Sequence, residues 1–349
     1  MVEKPQRSVT LKVIADRLDL SVNTISKALR GKDGVGEATR QAVLAEARKL
    51  GYRPNRHARS LVAGRSHTIA LINGPRSDPY FGRVAIEMER AAVQRGYRLI
   101  ELTPRVIDEE PNAVVDRLME WDVDGVVAFS WWPHMNRQLD QALVQEGIPL
   151  VVRGVPGPPG VDVVALNWEA AGDIGTDHLL RIGYPSVGYF GLSHDVSDQR
   201  HEDARLKGYR RALERHGMAV HPDWICPAPP NLDGAYAAAR KFLQRANRPR
   251  AAFCHNAPVA IALMRAANEM GLSIPGDLAV AAFGDSDILD FLPVRVSVID
   301  SDIRQYSERA TDLLIRRIEG YRGPSTVEVL PVHLIVRESC GGLGSQPVE

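Results

Sequence analysis

From Thr68 onward the chain alternates short apolar runs with amphipathic stretches, and few folds accept that pattern over about 270 residues. Strand-like runs read at Thr68–Ile72, Arg98–Leu102, Gly125–Phe129, Pro149–Val152, Val187–Phe190, Ala251–Cys254 and Leu278–Ala282. Helical periodicity falls between them, at Arg83–Gln94, Ala204–His216, Gly234–Gln244 and Val259–Met270. Strands that are apolar on both faces belong in parallel sheets covered by helices on each side. The length suits two such lobes, with a ligand crevice at the carboxyl ends of the strands.

The first 66 residues follow a different rule. They hold 14 Lys/Arg against 6 Asp/Glu, a charge of +8, whereas the remaining residues hold 29 against 37, or −8. A basic head on an acidic body is the charge distribution of a chain whose one end meets phosphate. Basicity alone would equally suit a tail for acidic lipid or protein, so the pattern within the head decides.

Leu11, Ile14, Ala15 and Leu18 fall at i, i+3, i+4 and i+7, one face of a short helix, with Thr10 placed to cap it through its hydroxyl. Asp19-Leu20-Ser21 breaks the pattern. Ser21 can cap a second helix, Val22–Leu29, that turns Ile25, Ala28 and Leu29 inward. A third, Glu37–Leu50, buries Val43, Leu44, Ala47 and Leu50 and stops at Gly51. Three short helices with a tight first turn describe a helix-turn-helix unit. The outer face of its second helix carries Val22, Asn23, Ser26, Lys27 and Arg30. Asn can pair with adenine, Lys can donate to guanine and Val can touch a thymine methyl, although a solvated polar face would use similar residues.

Next come Tyr52-Arg53-Pro54-Asn55 and the stretch to Gly64. Pro54 imposes an extended start, Asn55 can cap and Gly64 can terminate. That leaves a helix of about two turns, too short to persist alone in water. It is expected to order against DNA or a partner chain, with Leu61 and Val62 as apolar residues lacking a core of their own; a minor-groove wedge is the sharper reading and a frayed linker the blander one.

The runs Val9-Thr10-Leu11-Lys12, Leu20-Ser21, Thr24-Ile25-Ser26, Ala28-Leu29, Thr39-Arg40, Leu50-Gly51-Tyr52-Arg53-Pro54-Asn55 and Ala58-Arg59-Ser60-Leu61 closely resemble the lac-repressor/purine-repressor (LacI/GalR) family. The likeness is dense over about sixty residues and thinner to about Glu338. It implies a homodimeric regulator of palindromic double-stranded operators: an all-α helix-turn-helix head plus an α/β two-lobed periplasmic-binding-protein-like body. Its DNA-contacting positions correspond to Thr10, Ser21, Val22, Asn23, Thr24, Ser26, Lys27, Arg30, Tyr52, Asn55, Arg59 and Leu61, with Leu61 as the inserting hinge leucine. The resemblance also implies that the chain crosses between lobes three times, near Leu166, Val294 and Val327. Val13 stands where the family usually has Asp, and Lys27 where Arg is common; both leave the operator sequence undefined.

For the effector, expected to be a carbohydrate or sugar derivative, the resemblance points to Tyr80 and Phe81, to Arg205 as a clamp, to Asp285 as an acidic acceptor and to Asn256. Ala257 departs from the usual Asn-Asp pair, and the aromatic expected near Pro229-Pro230 is missing, so Trp131 could supply a stacking wall instead. The alternative for each of these residues is a surface ion pair or packing between lobes.

Enzyme signatures are absent from the sequence. There is no P-loop or nucleophile elbow, and Gly31, Gly34 and Gly36 follow a helix rather than a strand, so no cofactor is expected. Cys226, Cys254 and Cys340 show no metal-ligand spacing and suggest reduced thiols in the cytoplasm. No run of 18 apolar residues suggests a membrane span. The expected organisation is residues 1–50 helix-turn-helix, 51–66 hinge, 67–340 effector-binding and dimerisation body, and 341–349 tail. The alternative function is a solute-binding protein without a DNA role, which would leave the basic head unexplained.

Overall fold

The computed structural model describes residues 9–29, 33–52, 65–103, 110–129, 133–153, 158–192, 204–229 and 231–342. The chain divides into two compact units, Met1–Ser66 and His67–Glu349.

In the head, α1 (Leu11–Leu18), α2 (Val22–Leu29) and α3 (Glu37–Lys49) bury Ile14, Ala15, Ile25, Ala28, Val43 and Ala47 together. The tight turn has local causes. Asp19 takes the left-handed conformation at φ 51°, and the Leu20 N–H returns to the Ala15 carbonyl at 3.1 Å. Ser21 Oγ then accepts the Thr24 N–H at 3.0 Å, satisfying an amide that the first turn of α2 leaves open. Thr10 corrects the sequence reading: it stands at the N-cap of α1, but its side chain makes no cap bond, and its carbonyl accepts the Val13 N–H instead. At the far end Gly51 (φ 64°) and Tyr52 return their N–H groups to the carbonyls of Arg48 and Ala47, a left-handed closure that suits glycine.

The body holds two six-stranded sheets. The first has the order β11-β5-β4-β3-β1-β2 and is parallel throughout. Its strands are β1 (Thr68–Ile72), β2 (Arg98–Leu102), β3 (Gly125–Ala128), β4 (Leu150–Val152), β5 (Asp162–Leu166) and β11 (Val327–Leu330). The second has the order β12-β10-β9-β8-β6-β7 and is parallel except where β12 runs against β10. It is built from β6 (Val187–Leu192), β7 (Ile225–Ala228), β8 (Ala251–Cys254), β9 (Ala279–Phe283), β10 (Ser297–Ser301) and β12 (Val332–Ile335).

Helices cover both faces, as two-sided burial of β1, β3 and β5 requires. On the first sheet, α5 (Pro111–Glu120) and α6 (Pro133–Gln145) bury Val114, Val115, Leu118, Leu139 and Leu143 against one face. The other face packs on α4 (Pro79–Gln94) and α11 (Ile303–Ile318) through Val84, Met88, Tyr306, Ala310 and Leu314. On the second sheet, α9 (Leu232–Leu243) and α10 (Ala257–Glu269) lie opposite α7 (Trp168–Arg181) and α8 (Ala204–Arg215).

The chain passes between lobes at three places. The first lies between Leu166 and Trp168, where the resemblance puts it. The second lies at Ser301-Asp302 rather than near Val294, because Ser297–Ile299 still pair with β9 of the second lobe. The third is at Pro331 rather than Val327, because Val327–Leu330 pair with β5 in the first lobe. The sequence reading also omitted β5, β7, β10, β11 and β12, and it started α4 and α10 too late. Asp78 and Asn256 cap those helices, so Tyr80 and Phe81 lie in the first turn of α4.

Two contacts lock the architecture. Asp162, fully buried, accepts Arg317 Nε at 2.7 Å, Arg317 Nη2 at 3.0 Å and the Thr326 N–H at 2.7 Å, tying β5 to α11 and to the segment before β11. Between α7 and α8 the backbones approach through two glycines. A Cβ on Gly172 would lie 1.9 Å from the Arg205 carbonyl oxygen, and one on Gly208 would lie 2.0 Å from that of Glu169.

Candidate functional site

In the head, the helix that the Ser21 cap starts presents Val22, Asn23 and Lys27 outward, while Ile25 and Ala28 hold it to the core. Val22 is 45% exposed, so its methyl groups are accessible for contact. Thr10 is exposed, Thr24 and Ser26 are half-buried, and Tyr52 packs partly against the head core. Ser21 is exposed, with its hydroxyl occupied in capping. Arg30, Asn55, Arg59 and Leu61 lie outside the described residues, as does Trp131 of the body.

In the body, the carboxyl ends of strands from both sheets bring side chains together. Asp78 follows β1, caps α4 by accepting the Tyr80 N–H at 3.1 Å, and accepts Asn256 Nδ2 from the other lobe at 3.3 Å. Asn256 in turn caps α10 through its Oδ1, which accepts the Val259 N–H at 3.1 Å. Burial raises the Asp78 carboxyl to about 6, although the Tyr80 N–H and the guanidinium groups of Arg153 and Arg205 pull the other way.

Arg153 directly follows β4 and stands among rings: its guanidinium lies 3.8 Å from the centre of Phe129, 4.4 Å from Trp168 and 6.0 Å from Tyr80. Burial lowers its pKa to about 10, with the Arg205 charge acting in the same direction. Arg205 lies 4.7 Å from Trp168 and 5.5 Å from Phe283, and its Nη1 donates to the His255 carbonyl at 3.2 Å. Trp168 therefore meets two cations, one from each lobe, and its ring also contacts Phe283 at 4.7 Å.

Of the residues named from the sequence, Tyr80, Arg205 and Asn256 converge here. Phe81 sits behind them, 4% exposed and packed edge-on to Tyr80 and Phe129. Asp285 is already engaged. Its two oxygens accept the Arg337 fork at 2.9 Å each, Oδ1 also accepts the Ser286 N–H, and its backbone carbonyl accepts Arg83 Nη1 at 2.6 Å. Arg83, on α4, also pairs with Asp300 of β10 at 3.3 Å and so joins the lobes a second time. Sequence reasoning missed Asp78, Arg153, Trp168 and Arg337. A signal existed for two of them: an Arg directly after the apolar run Leu150–Val152, and a Trp directly after the capping residue Asn167.

No group of three or more His, Cys, Asp or Glu side chains able to hold a metal occurs among the described residues. None of their helices is long and apolar enough to cross a membrane.

Two family models match the chain: bacterial regulatory proteins, lacI family, over residues 10–55, and a periplasmic binding protein-like domain over residues 176–340. Among curated relatives, the HTH-type transcriptional repressor PurR of Photobacterium profundum is 27% identical over 95% of this chain and 98% of its own length. The HTH-type transcriptional regulator CelR of Thermobifida fusca is 29% identical over 96% and 99%. Among solved structures, a complex of the regulator CelR with cellobiose superposes with a TM-score of 0.70 at 27% identity, covering 95% of this chain and 99% of that one. The lac repressor dimer bound to operator superposes with a TM-score of 0.82, covering 96% and 99%; at 21% identity it speaks for the fold. A helix-turn-helix head and a two-sheet body, each matched by its own model, lead to one assignment: residues 10–55 form a head of the lacI family of bacterial regulatory proteins, on a chain similar over nearly its whole length to regulators of that kind.

Proposed function

We propose that this protein is a sequence-specific DNA-binding transcriptional repressor, acting as a homodimer on a palindromic operator in the cytoplasm. A small polar effector, a sugar or sugar derivative, controls its operator affinity. The observation that carries the reading is the outward face of Val22, Asn23 and Lys27 on a helix anchored by the Ser21 cap, within a head of charge +8. These are groups that read base edges, and the surrounding cations supply the phosphate affinity. The effector belongs between the lobes, at Asp78, Tyr80, Arg153, Trp168, Arg205 and Asn256. A relative solved with cellobiose supports a carbohydrate there. A ligand that favours one lobe closure over another needs only about 1–3 kcal/mol of differential affinity to change operator binding 5–150-fold. The segment from Asn55 to Gly64, including Leu61, lies outside the described residues; in this reading it is the hinge that orders on DNA. No catalytic role is assigned to any residue.

The test is a selection of full-length protein against random double-stranded DNA, followed by gel shifts at rising salt. A palindromic sequence that outcompetes random DNA by about a thousandfold or more supports the reading. Equal affinity for all sequences, or none, overturns it.

A further inference from the structure

The charges between the lobes are unevenly satisfied. The acidic groups there have partners: Asp285 is held by Arg337, Asp300 by Arg83, and Asp78 by the Tyr80 N–H and Asn256. Arg153 differs. Its Nη1 is sealed from solvent and has no hydrogen-bond partner among the described residues, and its guanidinium is walled by Phe129 and Trp168. The Tyr306 hydroxyl is likewise sealed and, among the described residues, without a partner, while the Tyr80 and Ser301 hydroxyls are sealed beside each other. Tyr80 is near Arg153 by its ring distance, Tyr306 packs edge-on to Phe129 at 4.9 Å, and Ser301 ends the strand that leads into α11. Aromatic faces compensate a cation only in part, and a buried donor left without an acceptor is costly. The Asp78 carboxyl acts on Arg153 through space without bonding to it, and Arg205 opposes it; a neutral sugar would bring hydroxyl acceptors but no counter-charge of its own. An oxyanion would bring both, and a guanidinium fork flanked by hydroxyl donors is a fitting receptor for one.

We propose that the interlobe site takes an anionic polyol, a sugar carrying a carboxylate or phosphate group, and that Arg153 selects it by binding the oxyanion. The proposal rests on the effector-site reading above and deepens it. Arg205, 4.7 Å from the same indole, adds positive potential on the side of the second lobe. Asn256 and the Asp78 carboxyl remain to meet the ligand's hydroxyls.

The experiment uses the full-length protein at constant ionic strength. Titration calorimetry is run with glucose, gluconate, glucuronate, galacturonate and glucose 6-phosphate, on wild type, Arg153→Gln and Arg153→Lys. At least one acid is expected to bind about tenfold or more tightly than glucose. Arg153→Gln is expected to remove that preference by weakening the acid alone, and Arg153→Lys to keep part of it. Carboxylates outranking the phosphate identify a sugar acid, and the reverse order a phosphorylated sugar. The proposal is overturned if glucose binds as well as every acid, if no acid binds, or if Arg153→Gln leaves acid affinity unchanged. Should Arg153→Gln not fold, Tyr306→Phe, which removes one hydroxyl donor, must lower acid affinity more than glucose affinity; equal effects overturn the proposal. A neutral sugar that binds and releases operator would leave the regulator reading intact while refuting this one. Failure to prefer any operator sequence would refute the regulator reading whichever sugar binds.

Discussion

Asp78 and Asn256 each cap the N-terminus of a helix in a different lobe, and they hydrogen-bond to each other at 3.3 Å. The positive ends of two helix dipoles thus converge where the strands of both sheets end. One side chain does double duty in each case, fixing a helix end and holding the lobes together. Asn256→Ala is expected to lower stability by about 1 kcal/mol through the lost cap, read by denaturant unfolding. It should also weaken effector binding, read by calorimetry, because the closed arrangement loses a bond that the open one lacks. A variant with unchanged ligand affinity would show that the bridge is incidental to closure.

The Asp78 carboxyl gives the body a pH dependence of known sign. Its pKa is about 6 in the folded protein against an ordinary 3.8, because burial disfavours the charged form. The folded state therefore holds more protons between those values, and stability falls as pH rises from about 4 to about 6, then levels. Asp78→Asn can still cap α4. It should stabilise the body at pH 8 by up to about 3 kcal/mol, less whatever the altered contact with Asn256 costs, and by much less at pH 4. Equal effects at the two pH values would contradict the assignment.

Asp162 has the opposite sign. Burial alone would raise its pKa, but the hydrogen bonds from Arg317 and the Thr326 N–H reverse this and hold it below the ordinary value. Its contribution is complete above the unfolded carboxylate range and is lost as acid protonates the folded group. Arg317→Ala would leave a fully buried carboxylate with only the Thr326 N–H and a longer, 3.8 Å pair with Arg316, at a cost of up to about 3–5 kcal/mol in thermal or denaturant unfolding. Arg317→Leu combined with Asp162→Leu should recover much of that loss.

In the head, Asn23→Ala is expected to weaken operator binding by roughly 1–3 kcal/mol while leaving random-sequence binding nearly intact. Ser21→Ala acts differently. It removes the cap of α2, costs about 1 kcal/mol of head stability, and should lower affinity for both kinds of DNA together. Gel shifts on paired probes separate the two behaviours; equal losses for Asn23→Ala on both probes would contradict base reading.

The glycines between α7 and α8 set the position of Arg205. A methyl group on Gly172 meets the Arg205 carbonyl, which belongs to a helix backbone and cannot turn aside as a side chain would. Gly172→Ala should therefore move the N-terminus of α8 and reduce effector affinity, with no change in operator affinity measured without effector. Unaltered calorimetry would mean that the helices separate without disturbing the guanidinium.

What could be read from the sequence was local. The core spacing of Ile14, Ala15, Ile25 and Val43, the Ser21 cap and the Gly51 stop depend on neighbours a few residues away, and they appear in the structure as the pattern requires. The central strands β1, β3 and β8 were legible as apolar runs. Other strands were not: β11 leaves Val327 and Val329 exposed at a sheet edge, and the interior strands β5 and β10 each begin or end on polar residues, Asp162 in one and Ser297, Asp300 and Ser301 in the other, so neither reads as an apolar run. The interlobe site was only half legible, since it is assembled across the fold. Trp168 gains its meaning from Arg153 on one side and Arg205 on the other, and nothing adjacent to it in sequence announces either. Asp285 illustrates the converse: its chemistry suits a ligand, yet Arg337, far along the chain, already occupies it.

The crossings at Leu166, Asp302 and Pro331 mean that neither lobe is one continuous stretch of chain. A ribosome that has released residues up to Leu166 has delivered five of the six strands of the first sheet. It has not yet delivered α11, which covers one face, or Arg317, which neutralises Asp162. Those arrive only after the second lobe's first five strands, β6 to β10, have been made. The nascent first lobe must wait with one apolar face covered by α4 alone and with Asp162 lacking its arginine, so the two lobes complete their folding almost together, in the last stretch of synthesis, rather than one after the other.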